Sequence, residues 1–497
     1  MPELAFAALF FCVMDSVLRW QTGFFMCVLM ALLQDPMRKL TPDQPIYFLV
    51  FVGVVFGTAW IGAGLSNVRF GPHRIYGWPA FRLPSVLFVI LLAFQAAHSY
   101  ARWGNIALPA IGLLSYLAPL PAVLLAYQLA VKGGLNQVQR LLWFYVAMSL
   151  PWLSGVWFEY SGETWTVLGE VGVGQFIYGV RSAYRLPAGF YRAAEIAAWH
   201  VATTAAFLFL LLRGKRLSVP KTFVVLVIVA FLVAIGLMTG RRKLLVNIVV
   251  FVSVFFFLRA WFLRGAAKWA MLSIMVGAVS FFALVGTLEP DGNERAFDSA
   301  PTTQRSDKYS VLMKRGDSVW RDIPKRLTGL GIGSAEWAIT EFGPFGAGLG
   351  TGTQGSQHVG GGKGQFGYAA EGGGGKLALE LGIPGLLIAG WLLFALFRHL
   401  NATLLLLSRH SDLHANFAFG LAAFLVANAA SFFVATQAYG DLFVLLTLGW
   451  ALGFLLAMPV VMQLARQQAY TTVQQPSGLT IPQSGWGRPT PAGRRPG

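Results

Sequence analysis

Apolar segments about twenty residues long recur along almost the whole sequence, separated by connections that carry Arg, Lys, Pro and Gly. A helix needs about 20 predominantly apolar residues to cross the hydrocarbon layer of a bilayer. The composition agrees, since 56% of the residues are hydrophobic, 12% are charged and the mean hydropathy is +0.60. The sequence therefore predicts an all-α integral membrane protein with roughly 12 transmembrane helices.

The predicted spans divide the chain into four regions. Residues 1–288 form an N-terminal transmembrane bundle, in which the first segment, near 4–33, is either one long helix or two short helices around Arg19. Residues 289–376 form one large periplasmic loop with a glycine-rich segment, and residues 377–466 form the C-terminal transmembrane helices. Residues 467–497 are rich in Gln, Pro, Gly and Arg, which predicts a disordered cytoplasmic tail.

The basic residues of the short connections predict the orientation of the chain. If every predicted span crosses the membrane, one side collects Arg69, Arg74, Arg82, Lys132, Arg140, Arg213, Lys215, Arg216, Lys221, Arg259, Arg264, Lys268, Arg398 and Arg409. Cytoplasmic connections are enriched in Lys and Arg, so we expect this side to face the cytoplasm. The loop at 289–376 then lies outside.

Several basic residues depart from this trend, because the alternation places them on the outer side: Arg181, Arg185, Arg192, the Arg241-Arg242-Lys243 cluster and those of the large loop. Arg241 and Arg242 occupy the very short connection TGRRK and have no acidic neighbour in sequence, while Arg192 lies near the outer end of a predicted span, one turn before Glu195. Arg241 and Arg242 form either an anion site or an interfacial anchor. Arg192 is either functional or neutralised by Glu195.

The large loop contains the other candidate residues. Between Gly343 and Lys376 glycine occupies roughly half of the positions, which is typical either of a backbone that approaches a ligand closely or of a flexible loop. His358 is the only histidine of this loop. Its imidazole is either a base that works near neutral pH or an ordinary solvated side chain.

The charge pattern disfavours other classes of ligand. The net charge of +17 is divided between both sides of the membrane and no nucleic-acid motif accompanies it, so we expect no nucleic acid partner. Membrane lipids and phosphates are the expected anionic partners. The outer carboxylates lack the spacing of a metal cage, and we expect neither a metal nor a cofactor.

Several segments, in their order along the chain, resemble the O-antigen polymerase and O-antigen ligase superfamily of bacterial envelope glycan assembly. The glycine-rich run, His358 and the following KLALELGIPGLLIAGW are similar to the end of the family's large periplasmic loop. MTGRRKLLV is similar to its short turn with Ser or Thr before Arg, and RLPAGFYRAAEIAAW to the start of an earlier span. Arg315 and Trp320 resemble its arginine-tryptophan segment. The resemblance covers about residues 181–397.

Two departures from the family pattern bear on the residue assignments. The family commonly has a histidine-asparagine pair, whereas His358 is followed by Val359 and a further glycine-rich insert. The turn here is Arg-Arg-Lys, so the match leaves open whether Arg241 or Arg242 corresponds to the family arginine.

The resemblance implies a fold like that of the C-superfamily glycosyltransferases. It also implies transfer of a glycan from an undecaprenyl diphosphate carrier to an acceptor glycan or lipid, without metal or nucleotide sugar. The reaction is expected at the periplasmic face of a bacterial inner membrane. The resemblance implies that His358 is the catalytic base, that the diphosphate binds Arg192, Arg241 and Arg242, and that the glycan binds Arg315, Trp320 and Arg321. Fixed guanidiniums suit a metal-independent reaction, because they stabilise the charge of a diphosphate leaving group.

From this resemblance we expect a polymerase of surface polysaccharide or O-antigen, with other polysaccharide assembly proteins as further partners. A ligase onto a lipid core is the alternative within the class. A flippase or transporter would have a similar topology, but it predicts internal repeats around a midplane site, and the sequence shows no such repeat. A structural assembly subunit without catalysis stays open if His358 is dispensable.

The predicted orientation has a direct test. A reporter fused at Ser306 should fold outside the cytoplasm, and one fused after Gln468 should lie inside, because the basic connections fix the alternation. Alkaline phosphatase, which is active only after export, and green fluorescent protein report the two sides. A reporter at Ser306 that is active in the cytoplasm would contradict both the orientation and the side assigned to the site.

Overall fold

The computed structural model describes residues 2–171, 176–178, 183–213, 218–241, 243–263, 332–353, 356 and 372–474. These residues are mainly helical. The helices are α1 (Pro2–Leu18), α2 (Gly23–Lys39), α3 (Phe51–Leu65), α4 (Trp78–Trp103), α5 (Ala107–Leu117), α6 (Pro119–Tyr160), α7 (Ala194–Leu212), α8 (Val219–Met238), α9 (Lys243–Phe262), α10 (Ser334–Phe342), α11 (Gly373–His410), α12 (Asp412–Val434) and α13 (Leu442–Gln474). Short 3-10 turns lie at Ile46–Val50, Pro72–Arg74 and Gln437–Gly440. Strands β1 (Phe176–Tyr178) and β2 (Ala183–Arg185) pair antiparallel, with Phe176 opposite Arg185.

Eight helices in this part of the chain are long and apolar enough to cross a membrane. They span Ile46–Leu65, Trp78–Trp103, Ala107–Tyr160, Ala194–Leu212, Val219–Met238, Gly373–His410, Asp412–Phe433 and Leu442–Gln468. The prediction of an α-helical, multi-pass membrane protein is therefore confirmed. The predicted span near 269–288 lies outside the described residues. The last helix continues to Gln474, beyond the expected start of the tail.

The first predicted segment consists of two short antiparallel helices. The ring of Phe6, near the start of α1, is 5.5 Å from that of Phe51 at the start of α3. A Cβ on Gly62, near the end of α3, would lie 2.7 Å from the carbonyl oxygen of Ser16, near the end of α1. Helix α1 therefore runs parallel to α3, and the chain reverses at residues 19–22 before α2. Of the two alternatives for this segment, the structure shows two helices.

The helical stretch Ala107–Tyr160 also reverses direction. Its 54 residues would extend about 80 Å as one straight helix, far more than a bilayer requires. Gly134 interrupts it with φ 65° and ψ −172°. Before this break the backbone of Pro119 packs against Gly449 of α13, and after it the ring of Tyr145 returns to 6.2 Å from Phe443. The two halves of α6 thus run in opposite directions beside α13.

The two ends of the bundle match the predicted alternation. At one end the ring of Tyr76 lies 5.7 Å from that of His399, the ammonium of Lys132 lies over Trp20, and Arg466 donates to the carbonyl of His410. This end gathers basic connections that we expect in the cytoplasm. We call it the inner end, and the opposite end the outer end.

Helices α7 and α13 are the most enclosed candidate spans, with 83% and 78% of their apolar windows buried.

The described part of the glycine-rich segment, residues 343–353, is packed between helices at the outer end. Gly346, Gly348 and Gly350 have φ values of 75°, 104° and 87°, which favour glycine. A Cβ on Gly346 would lie 2.5 Å from the carbonyl oxygen of Leu379 in α11, and one on Gly348 would lie 2.7 Å from Cα of Ser99 in α4. Here glycine serves close packing between protein segments.

Polar side chains fix this segment in place. Glu380 of α11 is fully buried and accepts hydrogen bonds from the amide of Gly352 and the hydroxyl of Thr353, both at 2.9 Å, and from Tyr116 at 2.7 Å. The amide of Gln95 donates to the carbonyls of Phe345 and Leu381. A buried carboxylate with three donors is satisfied, so the segment is held by defined bonds rather than by apolar contact alone.

This packing predicts unequal costs for alanine at two glycines of the segment. Gly348→Ala should lower the Tm of the purified protein in detergent, because the new Cβ meets the backbone of Ser99 as well as the strain of a positive φ. Gly343→Ala is the matched control, since Gly343 has φ 82° but nothing within 4 Å of its Cβ position. Gly343→Ala should lower the free energy of unfolding by about 1 kcal/mol, and Gly348→Ala should lower it by about 1–3 kcal/mol more. Equal Tm values for the two variants would contradict this packing.

Candidate functional site

Arg192, just before α7, lies between two aspartates from distant parts of the chain. Its Nη2 is 2.6 Å from Oδ2 of Asp441 and its Nη1 is 3.9 Å from Oδ1 of Asp35. Its backbone amide also donates to Asp35 at 3.0 Å. The arginine side chain is 17% exposed and both aspartates are buried. A buried charge is costly unless it is paired, so this cluster joins α2, α7 and α13 at the outer end.

The loop that leads to α7 is held by two further charged residues. The ammonium of Lys39 donates to the carbonyls of Val167, Gly189 and Tyr191. One carboxylate oxygen of Glu159 accepts from the amides of Gly169, Ala188 and Gly189, at 3.2, 2.8 and 2.7 Å. These bonds satisfy backbone groups that no helix or sheet would satisfy. The position at which α7 begins is therefore fixed.

Carboxylates also cap the two helices that meet here. Glu170 accepts from the amide of Ala194, the first residue of α7, at 3.0 Å. Asp441 accepts from the amide of Val444 at 3.0 Å through Oδ1, while its Oδ2 pairs with Arg192. Acceptors at helix N-termini satisfy free amides and complement the helix dipole. Each helix start is thus fixed by a residue that sequence spacing alone did not identify.

Glu195, in the first turn of α7, forms an ion pair with Arg241 of the short connection between α8 and α9. The distance from Nη2 to Oε1 is 2.6 Å, with Arg241 16% exposed and Glu195 5% exposed. The alternative in which Arg192 and Glu195 neutralise each other is therefore not what the structure shows. Arg192 is balanced by aspartates, and Glu195 pairs with the arginine of a distant turn.

The Glu195–Arg241 pair lines a cleft among α7, α9 and the outer end of α12. The cleft contains about 390 Å³ of space, part of it open to the surroundings. Its lining residues are Glu195, Ala198, Trp199, Ala202, Arg241, Asn247, Ser431, Ala435, Ala438 and Tyr439. Most of the lining is apolar or aromatic, and Arg241 is its one cationic side chain among the described residues. We call this the Arg241 cleft.

A hydrogen-bonded group fixes the aromatic wall of the cleft. The indole of Trp199 donates to Oδ1 of Asn428 at 2.8 Å, and the hydroxyl of Tyr439 donates to the carbonyl of Asn428 at 2.7 Å. On the far side of α7, Nδ1 of His200 lies 2.8 Å from the hydroxyl of Tyr145, and His200 is buried. Asn428 is thus a satisfied polar group between helices, and His200 lies in the core.

The described chain resumes beside this cleft after the large loop. A Cβ on Gly373, the first residue of α11, would collide with the ring of Phe432, and that ring lies 5.4 Å from the ring of Tyr439. Tyr439 in turn lines the cleft. The start of α11 and the Arg241 cleft are therefore neighbours at the outer end, although far apart in sequence.

The predicted site residues divide into two groups. The structure describes Arg192 and Arg241 and places both at the outer end, where their carboxylate partners are Asp35, Asp441 and Glu195. Arg242, Arg315, Trp320, Arg321 and His358 lie outside the described residues, and their assignments stay predictions. In the described part of the chain, no group of three or more His, Cys, Asp or Glu is arranged to hold a metal ion.

Sequence reasoning missed the carboxylates Asp35, Glu159, Glu170, Glu380 and Asp441. One signal was available, because Asp441 is a single charge beside strongly apolar segments, where an ionisable residue is costly without a partner. The partners themselves come from helices remote in sequence. Their identity therefore required the fold.

No protein-family model matches the chain, and no curated protein shows significant sequence similarity to it. The resemblance to O-antigen polymerases and ligases rests on the motifs quoted above.

The Arg192 cluster predicts a loss of stability and its partial rescue. Arg192→Gln should lower the free energy of unfolding by about 3–5 kcal/mol, because it removes the cation that pairs with buried Asp441 and also faces buried Asp35. The double variant Arg192→Gln with Asp441→Asn should recover part of the loss, since it removes one carboxylate while asparagine keeps the cap of α13. Tm values in detergent measure both. Arg19→Gln, at an exposed inner-end position, is the control.

An assay of the glycan transfer that the resemblance implies, run on the same variants, distinguishes a structural role of Arg192 from a ligand-binding one. An Arg192→Gln protein with unchanged Tm and lost transfer would show that Arg192 serves the ligand, which would contradict the structural role.

Proposed function

We propose that this chain is a polymerase of surface polysaccharide or O-antigen. It would transfer a glycan from an undecaprenyl diphosphate carrier to an acceptor glycan at the periplasmic face of a bacterial inner membrane. The observation that carries the proposal is the Arg241 cleft, which combines one partly exposed guanidinium with aromatic and apolar walls at the outer end of an α-helical membrane bundle. The motif resemblance supplies the reaction class.

The reaction requires a permanent cation next to the membrane surface. The bond between the anomeric carbon and the diphosphate breaks, and the polyprenyl diphosphate leaves with both electrons of that bond. A guanidinium presents a planar fork of donors that matches phosphate oxygens and stays charged at any physiological pH. Arg241 is such a group, and its location in a poorly solvated cleft strengthens its effect on developing charge.

The remaining parts of the reaction are assigned to residues of the large loop. The acceptor hydroxyl attacks the anomeric carbon and its proton passes to His358, the base that the motif match suggests. Arg315, Trp320 and Arg321 would contact the glycan chains, and Arg242 would assist Arg241 at the diphosphate. Support for a site shared with this loop comes from the start of α11, which returns from the loop next to Tyr439 of the cleft.

In this proposal Arg192 has a smaller part in binding the diphosphate than the sequence led us to expect. Its charge is already balanced by Asp35 and Asp441, so it contributes to the site mainly by fixing the start of α7 and thereby Glu195. The proposal also retains roughly 12 spans and a C-superfamily glycosyltransferase-like fold.

Deletion of the gene and profiling of surface and lipid-linked glycans test the function. A polymerase is expected to leave single repeats on the lipid, because chain extension stops, whereas loss of a ligase would strand full-length polymer on the lipid. Unchanged glycans would contradict both. Accumulation of lipid-linked repeats on the cytoplasmic face would instead favour a flippase.

Complementation of the same strain tests the residues. Arg241→Lys should lose most activity despite keeping its charge, since the ammonium lacks the planar fork, and Arg74→Lys at the exposed inner end is the matched control. His358→Ala should slow transfer by about 10²–10⁴-fold at normal expression, the usual contribution of a positioned base. Full polymer at the wild-type rate in either variant would remove that residue from the mechanism.

A further inference from the structure

The guanidinium that should bind the donor already contacts a carboxylate. Arg241 Nη2 and Glu195 Oε1 are 2.6 Å apart inside the cleft, and the described residues place no second cationic side chain in its lining. An anion that enters the cleft therefore meets an arginine whose charge is engaged, and a carboxylate that repels it. A phosphate that takes Nη2 of Arg241 must displace Glu195 from that nitrogen, and any phosphate in the cleft competes with the carboxylate for the charge of the guanidinium.

The two partners lie on different kinds of segment. Glu195 lies on the first turn of α7, whose start is fixed by the cap from Glu170 and by the adjacent Arg192 cluster. Arg241 lies in a short connection after Gly240, which has φ 63°, and reaches the carboxylate through a long side chain. Exchange of partners is therefore a rotation of the Arg241 side chain, while Glu195 stays in place.

The donor and the product carry different charges, so they compete with Glu195 for Arg241 to different extents. A glycan-linked polyprenyl diphosphate is a diester with about two negative charges, and the released polyprenyl diphosphate is a monoester that gains a further ionisable oxygen. The product therefore attracts Arg241 more strongly than the donor does. A site with an unopposed arginine would retain its product.

We propose that Glu195 is a release residue: it competes with the bound diphosphate for Arg241, returns the guanidinium to the ion pair and thereby frees the product. The inference rests on the proposed function, because it requires a diphosphate at Arg241. Glu195 thus acts indirectly, by positioning the side chain of Arg241. No bond to the carboxylate is made or broken in the reaction.

The test measures binding of farnesyl diphosphate, a short polyprenyl diphosphate, to the purified full-length protein in nanodiscs of phosphatidylcholine. Glu195→Gln keeps the size of the side chain and removes its charge, so affinity should rise about tenfold. In the Arg241→Gln background the same change should raise affinity far less, because no guanidinium is released. Glu163→Gln, which removes one charge from an exposed position of the outer loop, should change affinity little.

Turnover gives a second readout. Glu195→Gln should lower both KM and kcat of glycan transfer and increase inhibition by added farnesyl diphosphate, as slow product release requires. If Glu195 only held Arg241 in place, loss of the carboxylate would misplace the guanidinium, and farnesyl diphosphate would bind more weakly. Weaker or unchanged affinity in Glu195→Gln would therefore overturn the inference while leaving the diphosphate site intact. Failure of the wild type to bind farnesyl diphosphate would overturn the site itself, and the release role with it.

Discussion

Pairing of charges in a poorly solvated environment determines the structure of the outer end of this bundle. The 2.6 Å contact between Arg192 and Asp441 joins the starts of α7 and α13, and Asp35 brings the end of α2 to the same point. The first turn of α7 then presents Glu195 to Arg241. Because uncompensated charge is so costly there, the location of each arginine depends on carboxylates from other helices. These ion pairs also set the geometry of the cleft.

The fold was predictable from sequence to the extent that it follows from local hydropathy. Apolar segments of sufficient length predicted the helical membrane protein, and Gly134 separates two segments that the sequence already divides. The packing of helices that are remote in sequence was not predictable, since the apolar pattern of a helix in lipid does not indicate which other helices it contacts. The two-helix start of the chain was one of two open alternatives for the same reason, because the length and hydropathy of residues 4–33 fit both.

The site was predictable only in part. Unusual positions drew attention to Arg192 and to the Arg241–Arg242 pair, since charge near an apolar span is costly, but position did not reveal the carboxylate partners of Arg192 and Arg241. The glycine-rich run shows a second limit of sequence reasoning. Its density of glycine fitted a ligand-binding backbone or a flexible loop, and the described residues show a third use, in which Gly346 and Gly348 allow close packing against α11 and α4. Glycine permits close approach without specifying what approaches.

Under the proposed function, the Arg241 cleft at the outer end of the membrane bundle catalyses glycan transfer from a lipid diphosphate. Reconstitution of the purified full-length protein in liposomes with a polyprenyl diphosphate-linked oligosaccharide repeat tests it most directly. We expect lengthened oligosaccharide together with released polyprenyl diphosphate, in equal amounts, and neither product with Arg241→Lys. Movement of the intact donor across the bilayer without formation of a glycosidic bond would rule out the transferase and establish a transporter.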